Sequence, residues 1–305
     1  MLARAELIDA VVARIPPWQG CPVAVEPLPG GMTNESYRVT VGERRYVVRL
    51  AVDDPALLGV DRENERHNTE IAAGLGIGPR VVAHIAELGA LVVEFTEGRS
   101  LTAAELRRPG MPVRLARTLK ALHGGPRFHR PFDMFRLIDD YLGTLDRLDA
   151  PLPPRYRERL PTLRRVERAL RARPWPAAPC HNDLVAENVI DDGQRLHLVD
   201  WEYSGNGDPA FELGSACREL EYDDGTAALL LSQYAGVDSP VALARLHLFG
   251  VVADAGWTLW ASIQAARARL DLDFAAYGAR RWARTEAALD APDLSAWLDA
   301  SARMV

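Results

Sequence analysis

The sequence predicts an α+β fold in two lobes, a β-rich front of residues 1–95 and a mainly helical back of residues 96–305. Three observations carry that expectation. The chain has 305 residues, too long for one small core and suited to two bodies of ~100–200 residues. Between residues 21 and 95 the apolar residues alternate and are often β-branched, as in strands. Beyond "FTEGRSL" the spacing is helical almost to the end of the chain.

Residues 2–14 have helical spacing, and "IPP" ends it, because proline lacks the amide a helix needs. "SYRVTV" and "RRYVVRL" read as a hairpin turning at "GE", preceded by the glycine-rich turn "PLPGGMTN". Residues 62–75 return to a helix with Ile71 and Leu75 on one face, and "RVVAHIA" and "ALVVEF" read as two more strands across "ELG". The front lobe is thus a mostly antiparallel sheet with one inserted helix. In the back lobe "VRLARTLKALHGG" runs from a proline to a glycine pair. Residues 133–147 and 155–172 are helical, "RPWPAAP" interrupts, and long helices run from 209 onward.

Composition narrows the function classes. Hydrophobic residues at 48% and charged residues at 26% describe an ordinary globular chain. A net charge of −6 without a basic stripe argues against nucleic acid and suits a cationic small molecule. Cys21, Cys180 and Cys217 have no paired spacing, so neither a disulfide framework nor a zinc motif is expected. No uninterrupted apolar run reaches ~18 residues, so no membrane insertion is expected. Two acids inside the apolar N-terminal stretch read as an amphipathic helix rather than a signal peptide, which makes a cytoplasmic location the expectation. Lys120 is the single lysine of the chain.

Chemistry concentrates in "APCHNDLVAENVIDDGQRLHLVDWEYSGNGDPAFELG", residues 178–214. "NVI" and "LHLVD" are short apolar runs around "DDGQR", an Asp-Gly type of turn. Pairing them brings Asn188 beside Asp200, two hard oxygen ligands of the kind Mg²⁺ takes. Asp183 lies five residues before Asn188 in the loop leading in. Protein kinases use this spacing, with a second aspartate beyond a hairpin, to orient the attacking hydroxyl and hold the metals on the phosphates. His181 reads as a loop-fixing hydrogen bonder, Glu187 as a solvated acid, and Asp208 before Pro209 as a helix cap.

"HNDLVAEN" followed by "LVDWEYSGNGDPAFELG" resembles the loop and metal motif of choline/ethanolamine kinases, in the aminoglycoside-phosphotransferase-like branch of the protein-kinase fold. The likeness is closest to bacterial choline kinases and extends over residues 28–285 through "LPGGMTNESYRV", "YVVRL", "DRENERHNTEIAAGLGIGP", "LVVEFTEGRSL" and "DAGWTLWASIQAA". It implies a protein-kinase-like two-lobed fold that uses ATP and Mg²⁺. It makes Asp183 the catalytic base and Asn188 and Asp200 the metal ligands. Arg49 would replace the strand lysine on the ATP phosphates, which a guanidinium can bind through two nitrogens. Glu65 would be its helix partner, preferred over Glu63 and Glu70 for its distance to "LGIGP". Gly30, Gly31, Thr33 and Asn34 would lie over the phosphates, and Glu94 and Phe95 would offer hinge backbone groups to adenine.

Trp257 and Trp260 are three apart and share a helix face with Asp254. On spacing alone such residues are usually core. The resemblance turns them, with Tyr277 as a third wall, into a cage for a quaternary ammonium held by cation–π attraction. Glu219 is the carboxylate it implies beside them. Three departures stand out: Glu212 where the family usually has aspartate, Ala186 where relatives often have proline, and a variant "SGNGDP" turn. The expected reaction is γ-phosphoryl transfer from ATP to the hydroxyl of choline or a similar amino alcohol. The rivals are a phosphotransferase of the same fold acting on an aminoglycoside, thiamine or sugar, and a non-catalytic nucleotide-binding module.

Overall fold

The computed structural model describes residues 4–29, 31–51, 55–267 and 272–303. In the front part, β1 (Val23–Leu28), β2 (Asn34–Val41), β3 (Arg44–Ala51), β4 (Val81–Ile85) and β5 (Ala90–Glu94) form one antiparallel sheet in the order β1-β2-β3-β5-β4. The β2–β3 hairpin turns at Gly42, whose φ of 60° is the left-handed geometry glycine accepts without steric cost. Edge strand β1 was not expected. It is largely exposed and contains Pro27, so it lacks the alternating apolar pattern of its neighbours.

Helix α1 (Arg4–Ala13) places Ile8 and Val11 against the sheet, where they join Trp18, Val39, Val48, Leu50 and Val92 in a core of their own. Helix α2 (Arg62–Gly74) lies between β3 and β4 in sequence and begins at Asp61, whose carboxylate accepts the Glu63 and Asn64 amides at 3.0 and 3.1 Å. Ala72 of α2 and the following Ile77 belong to a second, larger core shared with the helical part. The inserted helix is thereby bound to both halves of the molecule.

That part comprises α3 (Ala103–Leu106), α4 (Met111–His123), α5 (Met134–Leu148), α6 (Tyr156–Ala172), α7 (Pro209–Glu219), α8 (Asp224–Ala235), α9 (Pro240–Arg267), α10 (Phe274–Leu289) and α11 (Leu294–Arg303). Helix α9 is its axis, with α5, α7, α10 and α11 all packed on it. By length and composition its 28 residues could cross a membrane, but 89% of its apolar stretch is buried inside the molecule, as in the central helix of a core. Counting only uninterrupted apolar runs in the sequence did not single it out. Gly214 of α7 lets the two helices meet, because a Cβ there would sit 2.3 Å from the Leu246 carbonyl of α9.

Five short strands frame the chemistry. They are β6 (Arg99–Ser100), β7 (Ala178–Cys180), β8 (Val189–Asp191), β9 (Leu196–Leu198) and β10 (Gly205–Gly207). β8 and β9 are the expected hairpin, with Val189 opposite Leu198, and β6 extends it. β7 pairs with β10, Cys180 opposite Gly205. The loop from His181 to Asn188 is therefore clamped between two small sheets.

Candidate active site

Asp183 sits in that loop, and the loop is fixed by its own hydrogen bonds. The His181 ring donates from Nε2 to the Val199 carbonyl at 2.8 Å and accepts the Asp183 amide at Nδ1, 3.3 Å away. Burial lowers the His181 pKa, which keeps the ring in the neutral form this double role requires. Asn188 donates its side-chain amide to the Asp183 carbonyl at 3.0 Å, which leaves Oδ1 for another partner. Asn182 and Asp200 both have φ of 69°, a conformation asparagine and aspartate tolerate better than other side chains. Asn182 is held there by donating to the Tyr203 carbonyl at 3.0 Å.

Beneath the loop, one oxygen of Glu212 accepts the His181 and Asn182 amides at 2.7 and 2.8 Å. Its other oxygen pairs with Nε2 of His123, whose Nδ1 meets the Tyr234 hydroxyl at 2.8 Å. Burial pushes the Glu212 carboxyl upward, but His123, His181 and the amides outweigh it and hold the group below its usual range. Asp208 caps α7 as expected, accepting the Ala210 amide at 2.9 Å, so glutamate at 212 leaves the helix start in place. His123, Cys180 and Glu212 bring possible ligand atoms within 4.8 Å of one another. Those atoms are already engaged in the bonds above and in the Cys180 thiol's contact with the Ala178 carbonyl at 3.4 Å. This trio is a packing device rather than a metal centre.

Toward the sheet lies a buried ion network. Arg49 of β3 bonds Glu65 of α2 through one terminal nitrogen and Asp200 through the other. Arg62 reaches Glu65 at 2.7 Å and Glu202 at 3.0 Å. Thr33 and Asn34 donate to the Glu202 carboxylate at 2.6 and 2.9 Å. Burial and the neighbouring carboxylates push Asp200 up to about 6 even against Arg49. In Glu202 burial also acts upward, but Arg62, Arg49 and the two donors prevail and lower it. Arg49 stays firmly protonated because Asp200, Glu65 and Glu202 overcome its desolvation.

A cavity of about 720 Å³ opens beside Asp183. Its acidic wall carries Asp183, Asn188, Asp200 and Glu202, and its aromatic wall carries Tyr203, Trp257, Trp260, Phe274 and Tyr277 with Glu219. The rings meet edge to face: Tyr203 and Trp257 at 4.9 Å and 75°, Trp260 and Tyr277 at 5.9 Å and 66°, Trp260 and Phe274 at 5.7 Å and 72°. Steeply inclined rings present π faces in several directions around one corner. Burial, then Asp200, Glu202 and Glu219, drives the Asp183 pKa well up, with Arg281 opposing. A carboxylate so placed ionises at neutral pH most readily when cations join it. Asn188 and Asp200 offer the hard oxygens that Mg²⁺ favours, so this pair fits that ion, while both oxygens of Glu202 are engaged by Thr33, Asn34 and Arg62.

Residues 24–240 match the phosphotransferase enzyme family. The chain belongs to that family. It is similar to the solved structure of a choline/ethanolamine kinase family protein from Mesorhizobium loti, at 32% identity over 98% of this chain and 99% of that one, with a TM-score of 0.84. It is similar to the structure of choline kinase LicA from Streptococcus pneumoniae, at 25% identity over 93% and 99% of the two chains, with a TM-score of 0.80. Ethanolamine kinase 2 of Rattus norvegicus is 25% identical over 299 residues, 88% of this chain and 76% of that protein. The fold is the protein-kinase-like one that the sequence motifs implied.

In this phosphotransferase most residues singled out from the sequence meet on one cavity. Gly31, Thr33, Asp183, Asn188, Asp200, Glu219, Trp257, Trp260 and Tyr277 all line it. Gly31 has φ of 88° and no room for a Cβ, which would lie 2.7 Å from the Asn34 carbonyl. Gly30 lies outside the described residues. Arg49, Glu65 and Asn34 form the ion network instead of the cavity wall. The hinge expectation narrows to carbonyl groups: the Glu94 amide is bonded to the Arg80 carbonyl at 2.8 Å and the Phe95 amide to the Arg45 carbonyl at 3.0 Å. Sheet pairing thus leaves neither amide to donate to adenine. Asp254 is fully buried and holds Arg218 at 2.8 Å, Arg281 at 3.3 Å and Arg284.

Sequence reasoning missed Arg62, Glu202, Arg281 and His123, and it noted Glu212 only as a departure from the family pattern. Two had a usable signal. Arg62 stands three before Glu65 on the same helix, and Glu202 stands two after Asp200 in "VDWEY". Arg281 and His123 find their partners across the fold, which no local pattern records.

Proposed function

We propose that this chain transfers the γ-phosphoryl group of ATP to the hydroxyl of choline or a closely related amino alcohol. The observation that carries the reading is the single cavity in which Asp183 and the aromatic corner of Trp257, Trp260 and Tyr277 face one volume. A cationic head held by the rings would present a hydroxyl two carbons away to the carboxylate. Asp183 would accept the hydroxyl proton as the oxygen attacks the γ-phosphorus, the bond from that phosphorus to the β–γ bridging oxygen breaks, and ADP leaves. Its high proton affinity suits an acceptor, and the bonds from His181 and Asn188 to its backbone hold it in place.

Asn188 and Asp200, with Glu202 close by, would hold Mg²⁺, which would offset the charge of the phosphates. Arg49, braced by Glu65, would steady the phosphates, and Thr33 and Asn34, both held to Glu202, would lie beside them. The acidic wall favours a cationic acceptor, and the aromatic wall disfavours a bulky polycation such as an aminoglycoside, which prefers an open acidic cleft.

The test is ADP release from Mg-ATP with a panel of choline, ethanolamine, thiamine and kanamycin. Release with choline or ethanolamine, and little with the other two, is the expected result. Turnover confined to thiamine or kanamycin would move the assignment to another branch of the family.

A further inference from the structure

The aromatic wall offers many ring faces, and its two carboxylates are each partly engaged. Asp273 caps α10 through Oδ1, and Arg281, whose side chain is 5% exposed, holds Oε1 of Glu219, the carboxylate it ties to Tyr277. The same guanidinium donates to the Tyr277 hydroxyl and lies 4.4 Å from the centre of that ring. Asp254, 3.3 Å away, fixes Arg281 from behind. A primary ammonium carries three N–H donors, each of which needs an acceptor once water is gone. A trimethylated ammonium has none to satisfy and is attracted by ring faces alone.

We propose that this site selects the fully alkylated ammonium, choline over ethanolamine, and that Arg281 is the specificity-determining residue because it takes one oxygen of the Glu219 carboxylate and offsets the charge a primary ammonium would seek. The inference rests on the reading of the cavity as an amino-alcohol site. Arg281 acts through Glu219 and Tyr277, while the rings make the contact with the cation. Removing Arg281 frees Glu219 as an acceptor, and Asp254 keeps Arg218 and Arg284 as partners.

Initial rates with Mg-ATP on ethanolamine, N-methylethanolamine, N,N-dimethylethanolamine and choline test this. In the wild type kcat/KM is expected to rise with each methyl group, choline exceeding ethanolamine by about tenfold or more. Arg281→Met is expected to cut that ratio about fivefold or more, through a lower KM for ethanolamine at similar kcat. Arg281→Lys, which keeps a cation on Glu219, should hold the ratio near its original value. Ethanolamine equal to or better than choline in the wild type overturns the inference and leaves the amino-alcohol reading standing. An unchanged ratio in folded Arg281→Met removes Arg281 as the determinant. If Arg281→Met does not fold, the wild-type series still decides the preference. No turnover of any of the four sinks both readings.

Discussion

Two buried arginine–carboxylate networks flank the cavity, and they are balanced in opposite ways. In the first, among the described residues, Arg49 and Arg62 face Glu65, Asp200 and Glu202, so acid is in excess. In the second, Arg218, Arg281 and Arg284 face Glu219 and Asp254, so base is in excess. The acid-rich network joins β3, α2 and the segment after β9, and its Asp200 and Glu202 reach the cavity wall. The base-rich one ties α7, α9 and α10 together behind the aromatic rings. On the proposed function the contrast is between two ways to hold a positive charge. The acidic wall would do so with carboxylates in surplus, and the aromatic wall, with Glu219 paired to Arg281, would rely on π faces.

Asp183→Asn should produce the largest effect, because it removes the proposed proton acceptor between the two networks. Turnover should fall by about 10³-fold or more while ATP binding persists. The melting temperature should hold or rise, since a buried charge repelled by Asp200, Glu202 and Glu219 is gone. Arg49→Met comes next and separates the networks cleanly. It leaves the buried Glu65 with Arg62 as its ion partner and takes the arginine from Asp200, so a loss of about 1–3 kcal/mol is expected on denaturant unfolding, together with weakened ATP binding by calorimetry. Asp254→Asn, in the base-rich network, should lower stability with little change in ATP affinity. Equal nucleotide defects in the two variants would erase the distinction.

A pH effect of intermediate size follows from Asp200. Its carboxyl is pushed up to about 6 by burial and by Glu202 and Glu65. A raised pKa means the ligand form is present above that value and is lost as pH falls through it. Mn²⁺ affinity in the presence of ATP, read by electron paramagnetic resonance, should therefore decline below about pH 6. A flat profile down to pH 4.5 would show that Asp200 is not a ligand. Asp61→Ala should have the smallest effect. It removes the cap of the helix that carries Arg62 and Glu65, at a cost of about 1 kcal/mol in unfolding free energy and little in rate.

The difference between what was readable in the sequence and what was not follows the range of the interactions. The β8–β9 hairpin could be foreseen because an Asp-Gly turn between two apolar runs is a local signal, and it alone brings Asn188 near Asp200. The capping role of Asp208 was equally local. Glu219 was found as a residue, but its neutralisation was not, since Arg281 lies on another helix and reaches it only after α7, α9 and α10 pack. For Glu94 and Phe95 the sequence did not show which backbone groups stay open, for a related reason. Which hinge amides remain free depends on the pairing of β5 with its two neighbours, and the sequence does not specify that register. The edge strand β1 escaped notice because solvent, not a core, faces most of it.

The most direct measurement is ³¹P NMR of the purified protein with Mg-ATP and choline, run beside Asp183→Asn. The expected spectrum shows the γ-phosphate signal replaced by one new phosphomonoester resonance and by ADP, with no change in the variant. Transfer to neither choline nor ethanolamine, or full transfer by Asp183→Asn, would contradict the account.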